Sequence, residues 1–257
     1  MKKPLTIFTW GYWGWGNHTS EFGKAVDAVE RSRGFKPPIF VDIRIRREVR
    51  AKGFNGDAFG SVVGKSRHRW VQDLGNEEIL TGGKGIRIRK PRAAAELLAE
   101  AVRFASENRR LIFFCSREYP CWCHRSTVAK LVLKYARKQK IPAQVVEWPG
   151  GNPTSIDVLV SEKDLKMLGK AQTSIPLTNA TPLARYAGLP WGSVARVHTA
   201  STSDLLCILT GPAKCRSADD WYLPVLTEPR EKSNGTKSKR KAAIFRSRYG
   251  FDSRASP

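Results

Sequence analysis

The sequence predicts an α/β fold: a Rossmann-like parallel sheet with helices on both faces, followed by a small β-rich module and a basic disordered tail. Three observations carry this. Over the first 150 residues, short continuous apolar runs alternate with amphipathic helical patterns, as expected for strands buried on both faces and joined by crossover helices. After Pro149-Gly150-Gly151 the chain changes to short β-like pieces broken by Ser, Thr, Gly and Pro. From residue 230 onward Lys, Arg and Ser dominate and apolar residues are few, a composition that cannot bury enough surface to fold unaided. The expected division is an α/β domain at 1–150, a small β-rich module at 151–229 and a flexible basic tail at 230–257.

The elements follow in order. Residues 5–9 form a short apolar strand. Ser20 is placed to cap a helix whose apolar face is Phe22, Ala25, Val26 and Val29, spaced i, i+3, i+4, i+7. Gly34 and Pro37-Pro38 end that helix, and Ile39-Phe40-Val41-Asp42-Ile43 is the second strand. Between Arg46 and Pro91 the pattern weakens into a Gly- and Arg-rich region. A second helix presents Ala94, Leu97, Leu98, Ala101, Val102 and Ala105 and leads to a strand at 111–114. A third helix, over 126–140, turns Val128, Leu131, Val132 and Tyr135 inward, and 145–148 is the next strand. In the module, strands are expected at 156–160, 193–198, 205–209 and 221–226, with Ser161 capping a helix at 163–168.

Composition bounds the function. The 45 basic against 23 acidic residues give a net charge of +22, and neutralising phosphates with such an excess releases counterions. Nucleic acid, DNA or RNA, is the expected partner. No apolar run approaches the ~20 residues that span a bilayer, so no membrane partner is expected. The short apolar start after Met1-Lys2-Lys3-Pro4 does not make a signal peptide, and the expected location is the cytoplasm. There, five cysteines are free, catalytic or metal-bound rather than a disulfide scaffold.

The densest chemistry lies in Cys115-Ser116-Arg117-Glu118-Tyr119-Pro120-Cys121-Trp122-Cys123-His124-Arg125-Ser126. This stretch is a strand-to-helix turn, where open α/β sheets bind ligands. A helix N-terminus and cations stabilise a thiolate and attract anions, so Cys115 or Cys123 is the candidate nucleophile. Cys115 taken alone reads rather as a small buried hydrophobe at a strand end. Cys115, Cys121, Cys123 and His124 also form a ligand set suited to zinc, although adjacent Cys123 and His124 are not expected to reach one ion together. No other cofactor is expected.

Asp42 and Arg44 alternate on one strand and project to the same side, as a substrate-orienting pair or as a structural ion pair. After the first strand, Thr9-Trp10-Gly11-Tyr12-Trp13-Gly14-Trp15-Gly16 offers Trp10, Tyr12 and Trp13 as base-stacking faces and glycines for close approach; packing on the sheet edge is the alternative. Arg67, Arg69, Lys84, Arg87, Arg89 and Lys90 are candidates for a phosphate-tracking surface, or simply a solvated one. The run around Gly82-Gly83-Lys84 does not match a nucleotide P-loop.

Phe8-Thr9-Trp10-Gly11-Tyr12, Val41-Asp42-Ile43-Arg44 and Cys115 followed by Cys123-His124-Arg125-Ser126 resemble, in order and approximate spacing, the T-x-G, V-D-x-R and C…C-H-R-S motifs of the domain of unknown function 488 family. The resemblance covers about residues 5–150. The family's acidic residue two places after the first cysteine is Arg117 here, with Glu118 one place later, and Cys121 is extra. The resemblance implies a Rossmann-like fold with Asp42, Arg44, Cys115, Cys123, His124 and Arg125 around one pocket.

The function expected is that of a nucleic-acid-binding protein acting on a base or nucleotide end. Cys115 or Cys123 is then the nucleophile, His124 the proton carrier and Asp42 an orienting group or proton acceptor. Arg44 and Arg125 clamp an anion, with Thr9, Gly11 and Ser126 beside them. Two alternatives stand: a non-catalytic nucleic-acid-binding protein with a structural, zinc-holding cluster, or a small-nucleotide or sugar-phosphate enzyme.

Overall fold

The computed structural model describes residues 3–13, 15–16, 18–117, 120, 123–150, 156–163, 174–177, 191–200, 205–211, 214–217 and 220–227. Cys121, most of the helix expected at 163–168 and the tail 230–257 lie outside the described residues. The chain divides into two compact units, Met1–Gly23 with Gly34–Gly150, and Lys24–Arg33 with Gly151–Pro257.

The first unit is an α/β layer structure. The elements of residues 1–150 run β1 (Leu5–Gly11), α1 (Thr19–Ser32, grouped with the second unit from Lys24 onward), β2 (Lys36–Asp42), α2 (Ala58–Val63), β3 (His68–Trp70), α3 (Glu78–Thr81), α4 (Ala93–Ser106), β4 (Arg109–Cys115), α5 (His124–Lys138) and β5 (Ala143–Glu147). The strands form one parallel sheet in the order β3-β2-β4-β1-β5. Parallel strands need crossovers, and the helices that supply them cover the sheet.

Alternation along each strand decides what faces each layer. Ile7, Ile39, Val41, Ile43, Leu111 and Phe113 pack with Leu97, Leu98 and Ala101 of α4 and Val128 and Val132 of α5. The opposite face is aromatic: Trp10 stacks on Phe22 of α1 with centroids 3.6 Å apart, Tyr12 on Phe54 at 4.0 Å, and Phe59 of α2 meets Phe114 at 5.3 Å. The four apolar positions read for α1 are all buried. On α4, Val102 is 41% exposed and Phe104 is buried in its place, a one-position rotation of the predicted stripe.

Several elements differ from the expected bounds. β2 begins at Lys36 and includes Pro37-Pro38, where the register against β4 shifts before Ile39; prolines lack the N–H that a regular ladder needs. α5 begins at His124, two residues earlier than expected, with Cys123 as its extended N-cap (φ −125°, ψ 141°). The Gly- and Arg-rich region contains β3, an edge strand of three residues, too short to show a period.

The second unit carries a six-stranded sheet built from β6 (Ile156–Leu159), β7 (Ser174–Leu177), β8 (Val194–His198), β9 (Leu205–Leu209), β10 (Lys214–Ser217) and β11 (Asp220–Thr227). The order is β10-β11-β9-β8-β6, with β7 also on β11. Among the described residues of this unit, only β6 and β8 pair in parallel. The β-rich character was legible; β7 and β10 were not. Among the described residues, no helix is long and apolar enough to cross a membrane.

Candidate functional site

The carboxyl ends of β1, β2 and β4 carry two buried polar groups, one on each face of the sheet. The first is a sulfur–imidazole cluster. β4 ends at Cys115, whose side chain shares the face of Leu111 and Phe113. α5 starts one residue after Cys123, so the extended cap turns this thiol and the His124 ring back towards Cys115. Cys115 Sγ lies 3.5 Å from His124 Nδ1 and Cys123 Sγ 3.9 Å from the same atom. All three residues are at least nine-tenths buried.

The other ring nitrogen fixes the tautomer. His124 Nε2 is 2.8 Å from the Ile43 carbonyl oxygen. A carbonyl only accepts, so Nε2 carries the hydrogen, and in the neutral ring Nδ1 presents a lone pair to the sulfurs. Hydrogen bonding from the Cys123 thiol lowers the Cys115 thiol to about 7 against the opposing effect of burial, helped by the Ser116 hydroxyl and the Ser116 and Arg117 amides. Cys123, as the donor in that pair and itself buried, is pushed up to about 12. Cys115 is thus the more readily ionised of the two thiols, and the Nδ1 lone pair is placed to accept its proton.

The ligand atoms of Cys115, Cys123 and His124 all lie within 4.8 Å of one another, and this group could hold a metal ion. That corrects the expectation drawn from adjacency. Cys123 is outside the helix and His124 inside it, and the change of backbone conformation between them lets neighbouring side chains converge. A tetrahedral ion with bonds of about 2.3 Å to sulfur and about 2.0–2.1 Å to nitrogen has sulfur–nitrogen edges of roughly 3.6 Å, close to the 3.5 and 3.9 Å found. The Ile43 carbonyl on the far nitrogen is the outer partner that metal-bound imidazoles usually have.

The rest of this face is built by Arg125, Gly11, Thr9 and Glu147. Arg125 is fully buried; its Nη1 donates to the Arg117 carbonyl and its Nη2 to Glu147 Oε1 at 3.1 Å. The guanidinium therefore ties the turn after β4 to the end of β5, a positioning role in place of the expected anion clamp. Gly11 is required for this: a Cβ there would lie 1.9 Å from the Arg117 carbonyl oxygen and 2.7 Å from Arg125 Nη1. Thr9 is 6% exposed, and its hydroxyl has no hydrogen-bond partner among the described residues. Ser126 Oγ donates to the Cys123 carbonyl at 2.9 Å, closing the first turn of α5.

The second group is on the aromatic face. Asp42 and Arg44 do project together, as a bidentate pair: Arg44 Nε is 2.8 and 2.9 Å from the two carboxylate oxygens, Nη2 adds another bond, and the Arg44 amide donates at 3.0 Å. Arg44 Nη1 also donates to Tyr12 Oη at 3.1 Å. With Asp42 fully buried and Arg44 5% exposed, the pair reads as structural. Val41 and Ile43 face the layer that holds Cys115, and Asp42 and Arg44 face the other; Tyr12, bonded to Arg44, lies within electrostatic reach of both Asp42 and Cys115.

Of the aromatic candidates, Trp10 and Tyr12 are buried with their faces on Phe22 and Phe54, which removes them as base-stacking platforms. Trp13 remains, 53% exposed. The candidate phosphate-tracking cations are mostly spoken for. Arg69 pairs with Glu100 at 2.5 Å, Arg87 with Glu78 at 2.8 Å, Lys90 with Asp73 at 3.0 Å and Arg89 with Asp73 at 3.9 Å. Arg67 donates to the Val63 and Pro38 carbonyls, and Lys84 is exposed, with no acid at ion-pair distance among the described residues. Exposed pairs of this kind contribute only about 0–1 kcal/mol each, so a phosphate can displace the acid.

Sequence reasoning missed Glu147 and the Ile43 carbonyl. Glu147 gave the same signal as Asp42, an acid closing an apolar strand; a backbone carbonyl gives no sequence signal at all. Comparison with family models, with curated proteins and with solved structures finds no match.

Proposed function

We propose that this chain is a nucleic-acid-binding enzyme whose reactive centre is the Cys115–His124 pair, acting on a base or a nucleotide end. The observation that carries the reading is the 3.5 Å approach of Cys115 Sγ to His124 Nδ1, with the opposite nitrogen pinned on Ile43. That is the nucleophile–base–orienter arrangement of covalent catalysis. His124 takes the thiol proton, the sulfur attacks an electrophilic carbon or phosphorus, and the imidazolium returns the proton to the leaving group. The buried thiol calls for a group presented singly, a flipped base or a strand end, rather than an intact duplex. The +22 charge supports a polyanionic substrate, and the T-x-G, V-D-x-R and C…C-H-R-S order supports kinship with the domain of unknown function 488 family.

The test is to sequence and mass-analyse nucleic acid that co-purifies with the wild-type chain and with Cys115→Ser. A modified base or end found only with the wild type, with salt-dependent binding kept by both, is the expected result. Identical nucleic acid from both, or none bound at physiological salt, overturns it.

A second reading is favoured by the ligand spacing: Cys115, Cys123 and His124 hold zinc, structurally or with an open fourth position. Elemental analysis of protein purified without added metal decides this. About one zinc per chain, lost together with the fold in Cys123→Ser, supports the metal centre; metal-free folded protein rules it out.

A further inference from the structure

We propose that Cys115 and Cys123 form a reversible disulfide with each other, which makes the cluster a two-electron dithiol centre whose oxidant is a hydroperoxide. Their sulfurs are no more than 4.8 Å apart and have to close to about 2.05 Å. The two residues are placed for that movement. Cys115 is the last residue of a central strand and stays fixed, whereas Cys123 is the extended N-cap, whose thiol moves by side-chain rotation while its carbonyl keeps the first-turn bonds from Ser126. That rotation does not unwind the helix.

The two sulfurs also differ in the way such a centre needs. Cys115 Sγ lies 3.5 Å from His124 Nδ1 and 3.9 Å from the Ser116 hydroxyl, whereas Cys123 Sγ is 3.9 Å from the same ring nitrogen, so Cys115 is the sulfur placed to give its proton to the imidazole and attack. Cys123 keeps its proton and is the resolving one. Size selects the oxidant: with both thiols and His124 at least nine-tenths buried, a molecule little larger than water reaches the sulfur more readily than a protein disulfide does. The Cys115 thiolate attacks one oxygen of the hydroperoxide and the O–O bond breaks. The alkoxide or hydroxide that leaves takes up a proton, and Cys115 becomes a sulfenic acid. Cys123 sulfur then attacks Cys115 sulfur; the S–O bond breaks, and the hydroxyl leaves with the Cys123 proton as water. Two thiols and one hydroperoxide thus give one disulfide, one alcohol (or water) and one further water. A dithiol reductant reverses the change by exchange.

Cys207 supplies an internal control, since it is fully buried and its sulfur sits 3.6 Å from the Ala195 carbonyl oxygen. The experiment uses the full chain, dialysed against a chelator so that no bound ion masks the thiols, then treated with one equivalent of hydrogen peroxide. The alkylated protein is digested without reductant and mapped by mass spectrometry. The expected result is an intact mass lower by about 2 Da, a Cys115–Cys123 linked peptide pair, restoration by dithiothreitol, and Cys207 unchanged. In Cys123→Ser, Cys115 is expected to stop at a dimedone-trappable sulfenic acid. The proposal fails if both thiols remain alkylatable after oxidation, or if the linked pair contains Cys121 or Cys215. If the serine variant does not fold, the wild-type map alone decides. Disulfide formation needs no nucleic acid, so this outcome and that of the proposed function are read separately.

Discussion

Replacing Arg44 by Leu tests whether the Asp42–Arg44 pair holds the fold. Asp42 is fully buried and takes bonds from Arg44 Nε, Nη2 and the residue 44 amide. The substitution leaves only the amide. Two unit charges about 4 Å apart attract by about 4 kcal/mol at an effective dielectric of about 20. Removing one member of a buried pair costs about 3–5 kcal/mol, because the other charge is left uncompensated. With a urea dependence of about 2 kcal/mol/M, the unfolding midpoint should fall by roughly 1.5–2.5 M. Fluorescence of buried Trp10, Trp15 and Trp148 reports this unit. The double variant Asp42→Asn/Arg44→Leu removes the stranded charge and should recover at least half the loss, since buried pairs are often replaceable by neutral groups. A midpoint shift under about 0.5 M, or a double variant whose loss is the sum of the two singles, would refute the argument.

Three further outcomes follow from the sulfur face. After dialysis against a chelator, the rate of Cys115 alkylation by iodoacetamide should be half-maximal near pH 7, and Cys123→Ala should move that midpoint upward by removing the largest stabilising hydrogen bond. A wild-type midpoint above about 8.5, the value of a free thiol, contradicts the assignment. The stability linkage has opposite signs for the two thiols. Cys115, lowered to about 7, contributes stability at pH above the unfolded value and loses it as pH falls through 7; Cys123, pushed up to about 12, contributes below the unfolded value and loses it as pH rises towards 12. Gly11→Ala places a Cβ against the Arg117 carbonyl, which is backbone and cannot swing aside. An overpacking cost of about 1–3 kcal/mol corresponds to a melting temperature lower by roughly 2–12 °C; an unchanged melt would mean that the turn after β4 is not held as described.

The layers were legible in the sequence because each core strand is a short apolar run and each core helix shows a 3.6-residue stripe. Where the period was short or broken, reading failed. β3 has three residues, the Pro37-Pro38 start of β2 looks like a helix stop, and α3 spans four residues. The C-terminal strands β7 and β10 are likewise four residues each. Cys115, Cys123, His124 and Arg125 were found because reactive residue types crowd one strand-to-helix turn. Their roles were not, since a role depends on partners distant in sequence: Glu147 for Arg125, the Ile43 carbonyl for His124, Phe22 for Trp10.

The sequence by itself determined the α/β class, the β-rich second part, the strong positive charge and the stretch in which the reactive residues lie. These depend on composition and local period, which need no knowledge of the far chain. Only the tertiary structure decided which charges and rings are already occupied. The pairing of β2, β4 and β1 put Asp42, Arg44 and Tyr12 on one side of the sheet and the thiols on the other. The extended cap at Cys123 then turned two side chains, which their adjacency in sequence was expected to keep apart, onto one point beside Cys115. Side-chain alternation on paired strands and a single change of backbone conformation at a helix start are long-range and geometric facts, and a linear pattern does not contain them.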